Sequence, residues 1–266
     1  MSQILTMFSY DFMLRATIVG LAISIAAALV GVSVVLRKNS MIGDGLSHVA
    51  FGAFAIATVL GLTPVWFAMP IVILASFFIL RLSRKQSGDA ILAILSASSL
   101  AIGTLVISIN KGVNIDLNGY LFGSILSVSW LDVVLSLIIT AITISLYVFA
   151  YHRIFAITLD PDFAKSIGIK TGLYDGIFAI ICSLIIVLGM RLLGALLISS
   201  LIIFPTLTAK NLCKSFKSVV ITASIISCLT FIIGLILSYL LNTPTGATVV
   251  LSSLAAYLLT KIYSLL

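Results

Sequence analysis

The chain has 266 residues, 61% of them hydrophobic and only 9% charged, with a mean hydropathy of +1.30. That balance excludes a soluble domain and sets the class as an all-α polytopic membrane protein. The eight acidic residues are all Asp, and fifteen Lys and Arg give a formal net charge of +7; hydropathy places most of these charges in short loops, where positive residues fix orientation, so the surplus is no sign of nucleic-acid binding.

About nine apolar segments reach the roughly 20 residues that a 30 Å hydrocarbon core requires. They lie near 14–36, 41–61, 64–80, 90–109, 130–150, 173–190, 193–209, 218–241 and 246–265. Broken or re-entrant segments would make the number of spans eight or ten. The first apolar run is longer than the core of a cleavable signal and leads into further spans, so it reads as a retained helix. With no internal repeat and no low-complexity linker, residues 1–266 form one transmembrane domain. Placing the basic loops inside puts twelve of the fifteen Lys and Arg in the cytoplasm and leaves Arg15, Lys111 and Arg191 outside. The N terminus is then outside and the C terminus cytoplasmic.

In chain order, Asp11 and Arg15 form an i, i+4 pair at the outer end of the first span and read as a surface ion pair. The second span opens with Ser40-Met41-Ile42-Gly43-Asp44-Gly45-Leu46-Ser47-His48-Val49-Ala50-Phe51-Gly52. On a helix Asp44 and His48 leave the same face, with Cβ atoms about 5 to 6 Å apart. Ionisable groups within a bilayer usually face a bundle interior or a water-filled path. One reading is structural: the two share a hydrogen bond, helped by Ser47, and hold helices together. The functional reading is half of a divalent-metal site, since carboxylate oxygen with imidazole nitrogen suits Zn(II) and also Mn(II). Two ligands are too few for tight capture, but a symmetric dimer with this helix beside its axis would supply two Asp and two His.

The outer stretch from 110 to 130 contains Asn118-Gly119-Tyr120-Leu121-Phe122-Gly123-Ser124-Ile125-Leu126, too short for a span and expected as a short helix at the outer surface. Asp132 and Asp175, near span ends, read as capping or interfacial residues. The cytoplasmic loop at about 151–172 specifies a two-turn helix: Asp160 as N-cap, Pro161 at the first helical position, Asp162 at the positive end of the dipole, then Phe163, Ala164, Lys165 and Gly168 as the stop. Arg191, between two spans, is expected to snorkel to the interface. Further on, Pro205 frees a carbonyl within an apolar helix and bends its axis, and Gly194, Ala195, Ser199 and Ser200 permit close helix contact.

Several chemistries have no motif here. The chain has no phosphate loop for ATP, no G-x-S-x-G and no H-E-x-x-H. Its two histidines, His48 and His152, cannot make a three-histidine zinc site. His152, beside Arg153, reads as solvated or interfacial. The three cysteines, Cys182, Cys213 and Cys228, are scattered and read as space-filling.

Arg37-Lys38-Asn39-Ser40-Met41-Ile42-Gly43-Asp44-Gly45-Leu46-Ser47-His48, the Gly119 to Leu126 run, the 160–168 helix, the 194–209 segment and Thr243-Pro244-Thr245-Gly246-Ala247-Thr248-Val249-Val250-Leu251 resemble, in order, the hallmark segments of the bacterial zinc/manganese ABC importer permease family. The resemblance covers essentially the whole chain. It implies a type II ABC importer permease fold with eight to nine transmembrane helices, working as a homodimer with a pathway on its two-fold axis. Its implied partners are two cytoplasmic ABC ATPase subunits, an extracytoplasmic metal-binding lipoprotein and the lipid of a bacterial cytoplasmic membrane. The chain would be a transport subunit and no enzyme, with no permanently bound cofactor, and its cargo would be Zn(II) or Mn(II).

The family motif falls on Gly43 to His48, so the resemblance gives Asp44 and His48 the metal-translocation role. The 160–168 helix matches the family's coupling helix, which docks in a groove of the ATPase. Many manganese-type members carry a Leu-Pro-Gly turn after this motif. Val49-Ala50-Phe51-Gly52 has no proline, and Ser47-His48-Val49 is similar to zinc-type relatives, so zinc is the expected cargo with manganese as the alternative. Two other classes would also place Asp and His in a span. An ion-coupled secondary transporter would work without an ATPase; an embedded enzyme with His48 as base would need a nucleophile and an oxyanion site that the sequence does not offer.

Overall fold

The structure, a computed structural model, describes residues 7–82, 88–110, 119, 123 and 128–264. The helices in chain order are α1 (Asp11–Leu36), α2 (Ile42–Val59), α3 (Pro64–Leu82), α4 (Gly88–Ile109), α5 (Trp130–Phe149), α6 (Tyr151–Leu159), α7 (Pro161–Ser166), α8 (Thr171–Leu193), α9 (Ala195–Leu212), α10 (Phe216–Leu241) and α11 (Thr245–Tyr263). Among the described residues, eight are long and apolar enough to cross a membrane. The ninth, α3, carries Pro70 and has the shorter apolar stretch Pro64–Ile79. Each expected segment coincides with one of these helices to within three residues at either end. The outer helix expected between Asn118 and Leu126 lies outside the described residues, apart from Gly119 and Gly123.

Helices dominate because a bilayer offers the backbone no partner, so each span must satisfy its own amides and carbonyls. The breaks fall where the chain turns back. Gly194 alone separates α8 from α9, at φ 90°, ψ 156°, a conformation that a side chain would strain. After α1, Lys38 takes the left-handed position at φ 61°, its amide bonded to the Val35 carbonyl and that of Asn39 to Val34. This Schellman closure reverses the chain into α2.

The central helix is α1, buried along nearly its whole length and wrapped by α5, α8, α9 and α10. Hydroxyl groups tie its backbone to two neighbours: Thr140 donates to the Ala22 carbonyl at 2.9 Å and Ser227 to that of Ser24 at 3.0 Å. On the far side of α8 and α9, α2 packs against those two helices and against α3 and α4. The first turn of α2 lies on the small residues of α9: a Cβ on Gly43 would stand 3.9 Å from the Ser199 Cα. Between α2 and α4, a Cβ on Gly52 would stand 2.7 Å from the Ser99 carbonyl oxygen, so only glycine allows that approach.

Long-range ion pairs fasten both ends of the bundle. At one end Arg37, closing α1, donates to Asp175 on α8 at 2.8 Å. At the other, Arg191 in the last turn of α8 donates to Asp132 in the first turn of α5, also at 2.8 Å. The second pair corrects the snorkelling expected of Arg191: a buried carboxylate stands within reach and holds the guanidinium.

Candidate metal site

Asp44 occupies the first turn of α2, where the positive end of the helix dipole favours a carboxylate. One turn on, His48 presents Nε2 toward it, 3.7 Å from Oδ2. That is beyond hydrogen-bond length for N···O, so the two groups are close neighbours with no hydrogen bond between them. Ser47 does not bridge them; its hydroxyl is buried and donates to the Gly43 carbonyl at 2.6 Å. The shared hydrogen bond of the structural reading is therefore not formed. The Asp44 side chain is 51% exposed and that of His48 24%. The two side chains share one face of α2, Asp44 the more open of the pair.

A carboxylate absent from the sequence reading lies near Asp44. Asp89, in the first turn of α4, lines with Asp44 a cleft of about 130 Å³ that also touches Met41, Gly45, Leu92 and Ser96. Its signal was available: an acid one residue into an apolar run that starts at the same end of the bundle as α2. Among the described residues no three Asp, His or Cys side chains stand close enough to hold an ion. Within one chain the α2 pair could supply two donors, too few to hold an ion.

The 160–169 segment is complete in itself. Asp160 Oδ1 accepts from the amides of Asp162 and Phe163 at 3.1 and 2.9 Å, and Pro161 fills the first helical position. The helix closes with a Schellman motif: the Gly168 amide bonds the Lys165 carbonyl and that of Ile169 bonds Ala164, both at 3.0 Å. Gly168 takes φ 85° and Ile169 packs on Ala164. Lys165 meets Asp162 at 3.2 Å. Phe163 and Ile167 project outward, 56% and 55% exposed, which leaves an apolar edge on a polar surface.

The profile of the ABC 3 transport family matches residues 9–264. The chain belongs to that family. The high-affinity zinc uptake system membrane protein ZnuB of Haemophilus influenzae is 32% identical over 252 residues, covering 94% of this chain and 97% of that protein. The manganese import system permease protein ScaB of Streptococcus gordonii is 30% identical over 254 residues, covering 94% and 90%. In three dimensions the fold is similar to PsaBC from Streptococcus pneumoniae, solved in complex with Fab. The TM-score is 0.86 at 27% identity, over 97% of this chain and 94% of that one.

The remaining candidates of this ABC 3 chain divide between the two ends of an integral membrane bundle. Asp11 and Arg15 pair at 2.9 Å, and Arg15 also donates to the Val128 carbonyl at 3.0 Å. Asp132 caps α5 as expected, in a reciprocal capping box with Ser129. Asp175 is no cap; it pairs with Arg37. The Nε and Nη2 atoms of Arg37 are buried without a hydrogen-bond partner among the described residues; its guanidinium lies 5.5 Å from the Phe178 ring centre and lines a small cavity of about 50 Å³, polar enough at Ser33, Asn39 and Ser76 to hold water. Pro205 is buried within α9, which continues through it to Leu212. His152 is exposed, edge-on to the Tyr151 ring at 5.3 Å. Cys182, Cys213 and Cys228 are free.

Proposed function

We propose that this chain is the permease of an ATP-driven importer for a divalent transition metal, and that Asp44 and His48 are the ligands its cargo passes. The observation that carries the reading is the α2 pair itself: two metal-ligating groups on one helix face, 3.7 Å apart and unbonded to each other, in a transport-family protein. Two copies related by a two-fold axis beside α2 would bring four donors together and complete the set. Carboxylate and imidazole would replace part of the ion's hydration shell. Partly solvated ligands bind weakly enough to release, as conduction requires. Asp89, on the same cleft, offers the next carboxylate along the path.

Zinc is the proposed cargo. An imidazole in the ligand set favours it over manganese, and residues 49–52 lack a proline. Relatives of both kinds stand at similar identity, so the comparisons leave the metal open.

The 160–168 helix is the proposed contact with a cytoplasmic ATPase, with Phe163 and Ile167 as its apolar edge. Motion there has a short route to the metal ligands. Gly168 to Lys170 lead into α8, Asp175 on α8 grips Arg37, and Arg37 closes α1 seven residues before Asp44. A second tie runs from Thr158 to Ser33 at 3.3 Å and from Ser33 to Tyr147 at 2.7 Å. The basic loops support a reading with this end of the bundle in the cytoplasm of a bacterial cell and the N terminus outside. The whole chain acts as one permease unit, supported by a family match that runs almost from end to end. Two ATPase subunits and an extracytoplasmic metal-binding lipoprotein complete the proposed importer.

The test is zinc uptake, with manganese as competitor, in proteoliposomes holding the permease, its ATPase and the loaded binding protein. ATP-dependent uptake should be lost in Asp44→Asn and in His48→Ala while ATP hydrolysis continues. Uptake that persists without the ATPase would identify a secondary carrier instead. Unchanged uptake in both variants would remove the pair from the path and leave selectivity to the binding protein.

A further inference from the structure

A groove of about 820 Å³ opens between α1, α5 and α10. Ile25 and Leu29 of α1, Ile144 and Val148 of α5, and Val220, Ile221 and Ile225 of α10 form apolar walls. The charged and titratable rim is at one end, with Tyr151 and His152 of α6 and Lys217 of α10; the Tyr147 and Ser224 hydroxyls, which also line the groove, are already bonded, to Ser33 and to the Val220 carbonyl. From Lys217 to Ile225 the groove descends about 12 Å along α10, at 1.5 Å per residue.

The groove stands apart from the metal path. It lies against α1, whereas α2 packs on α3, α4, α8 and α9. Water cannot fill it well, because its walls supply few hydrogen-bonding groups. Between membrane-spanning helices the natural occupant of such a cleft is an acyl chain. The rim adds a charge requirement. Lys217 is exposed and no carboxylate lines the groove with it. Among the described residues its ammonium has no acidic partner. Lys214, also exposed, lies three residues before it in the connection between α9 and α10. A cation at the headgroup level above an apolar slot matches a lipid whose head is negative, and basic pockets between helices bind such heads.

We propose that this groove is a binding site for an anionic phospholipid, with one acyl chain between α1, α5 and α10 and the phosphate against Lys217, within reach of His152 and Tyr151. That the lipid comes from the cytoplasmic leaflet rests on the orientation proposed above; the binding itself does not.

The purified full-length chain, stripped of lipid, would be titrated by native mass spectrometry with dioleoylphosphatidylglycerol and, separately, with dioleoylphosphatidylethanolamine. One lysine at a charged headgroup corresponds to about a fivefold preference for the glycerol lipid. Lys217→Glu should abolish that preference, and Lys261→Glu, a basic residue outside the groove, should leave it intact. Ser224→Trp should fill the slot and lower occupancy by both lipids. Equal binding of the two lipids to the wild-type chain would overturn the proposal even if a variant failed to fold, and so would a preference that survives Lys217→Glu. No metal enters this assay, so its failure is separate from failure of the Asp44 and His48 reading.

Discussion

Asp132 begins α5 and Asp44 begins α2, each in the first turn of an apolar helix. Asp132 is fully buried, and its oxygens accept from the Ser129 amide and hydroxyl and from Arg191, at 3.0, 2.7 and 2.8 Å. Asp44 is half exposed, and its nearest ionisable neighbour stands 3.7 Å away. A buried carboxylate with both oxygens engaged has little left to offer a passing ion; its work is to join α5 to α8. An open carboxylate beside an imidazole keeps its lone pairs free. The same residue type at the same helical position thus serves cohesion at Asp132 and is left open for the proposed transfer role at Asp44, and the difference lies in which neighbours packing supplies.

The comparison breaks most visibly if the buried pair contributes nothing. Asp132→Ala removes the partner of Arg191 and the capping box together. Loss of one member of a buried pair costs 3 kcal/mol or more when both ends are enclosed; Arg191 is 34% exposed, so about 3 kcal/mol is the expected size here. Thermal unfolding in detergent should show it as a large fall in midpoint, while zinc uptake per folded molecule stays near wild type. A midpoint within a degree or two of wild type would place Asp132 among the dispensable surface charges.

Arg37→Gln is the intermediate case. Both members of its pair are mostly enclosed, the side chains 16% and 19% exposed, and a hydrogen bond to a charged group is worth about 1.5 to 3 kcal/mol. Here the informative readout is the number of metal ions moved per ATP hydrolysed. If Arg37 and Asp175 carry motion from the coupling segment to α2, hydrolysis should continue while that ratio falls severalfold. A loss of stability with an unchanged ratio would make the pair a fastener like Asp132.

How far these roles were legible in the sequence follows from distance along the chain. The cap at Asp160, the proline beside it and the stop at Gly168 are local choices, and the helix formed as those residues dictate. Asp44 and His48 share a face because helical geometry puts i and i+4 together, whatever surrounds them. Arg191 and Asp132 are 59 residues apart and Arg37 and Asp175 are 138 apart. Only packing of distant helices brings each pair together, so a lone arginine at the end of an apolar run read as snorkelling. Asp89 escaped notice for a similar reason: its link to Asp44 is the α2–α4 contact, which the close approach at Gly52 permits.

Asp160→Ala sharpens the local side of the contrast. Loss of an N-cap costs about 1 kcal/mol, confined to a six-residue helix that already ends in a Schellman motif. Global unfolding should barely move. Stimulation of the ATPase by the permease should weaken measurably if this helix is the docking element, because a frayed first turn presents Phe163 in many orientations. Unaltered stimulation would shift the contact elsewhere on the cytoplasmic face.

Asp44→Asn should have the smallest effect of all on folding. The carboxylate accepts no hydrogen bond among the described residues and is half solvated, so the change in unfolding free energy should stay within about 0.5 kcal/mol, the usual span for such surface positions. Zinc uptake should nonetheless disappear. A variant that folds as the wild type does and cannot pass metal is what an open ligand predicts. If Asp44→Asn instead lowered stability by as much as Asp132→Ala, Asp44 would have to be engaged in the assembled protein, by the partner copy or by α4, and its place in the path would be that of a latch between subunits. The stability measurement therefore separates a ligand from a latch before any transport is assayed.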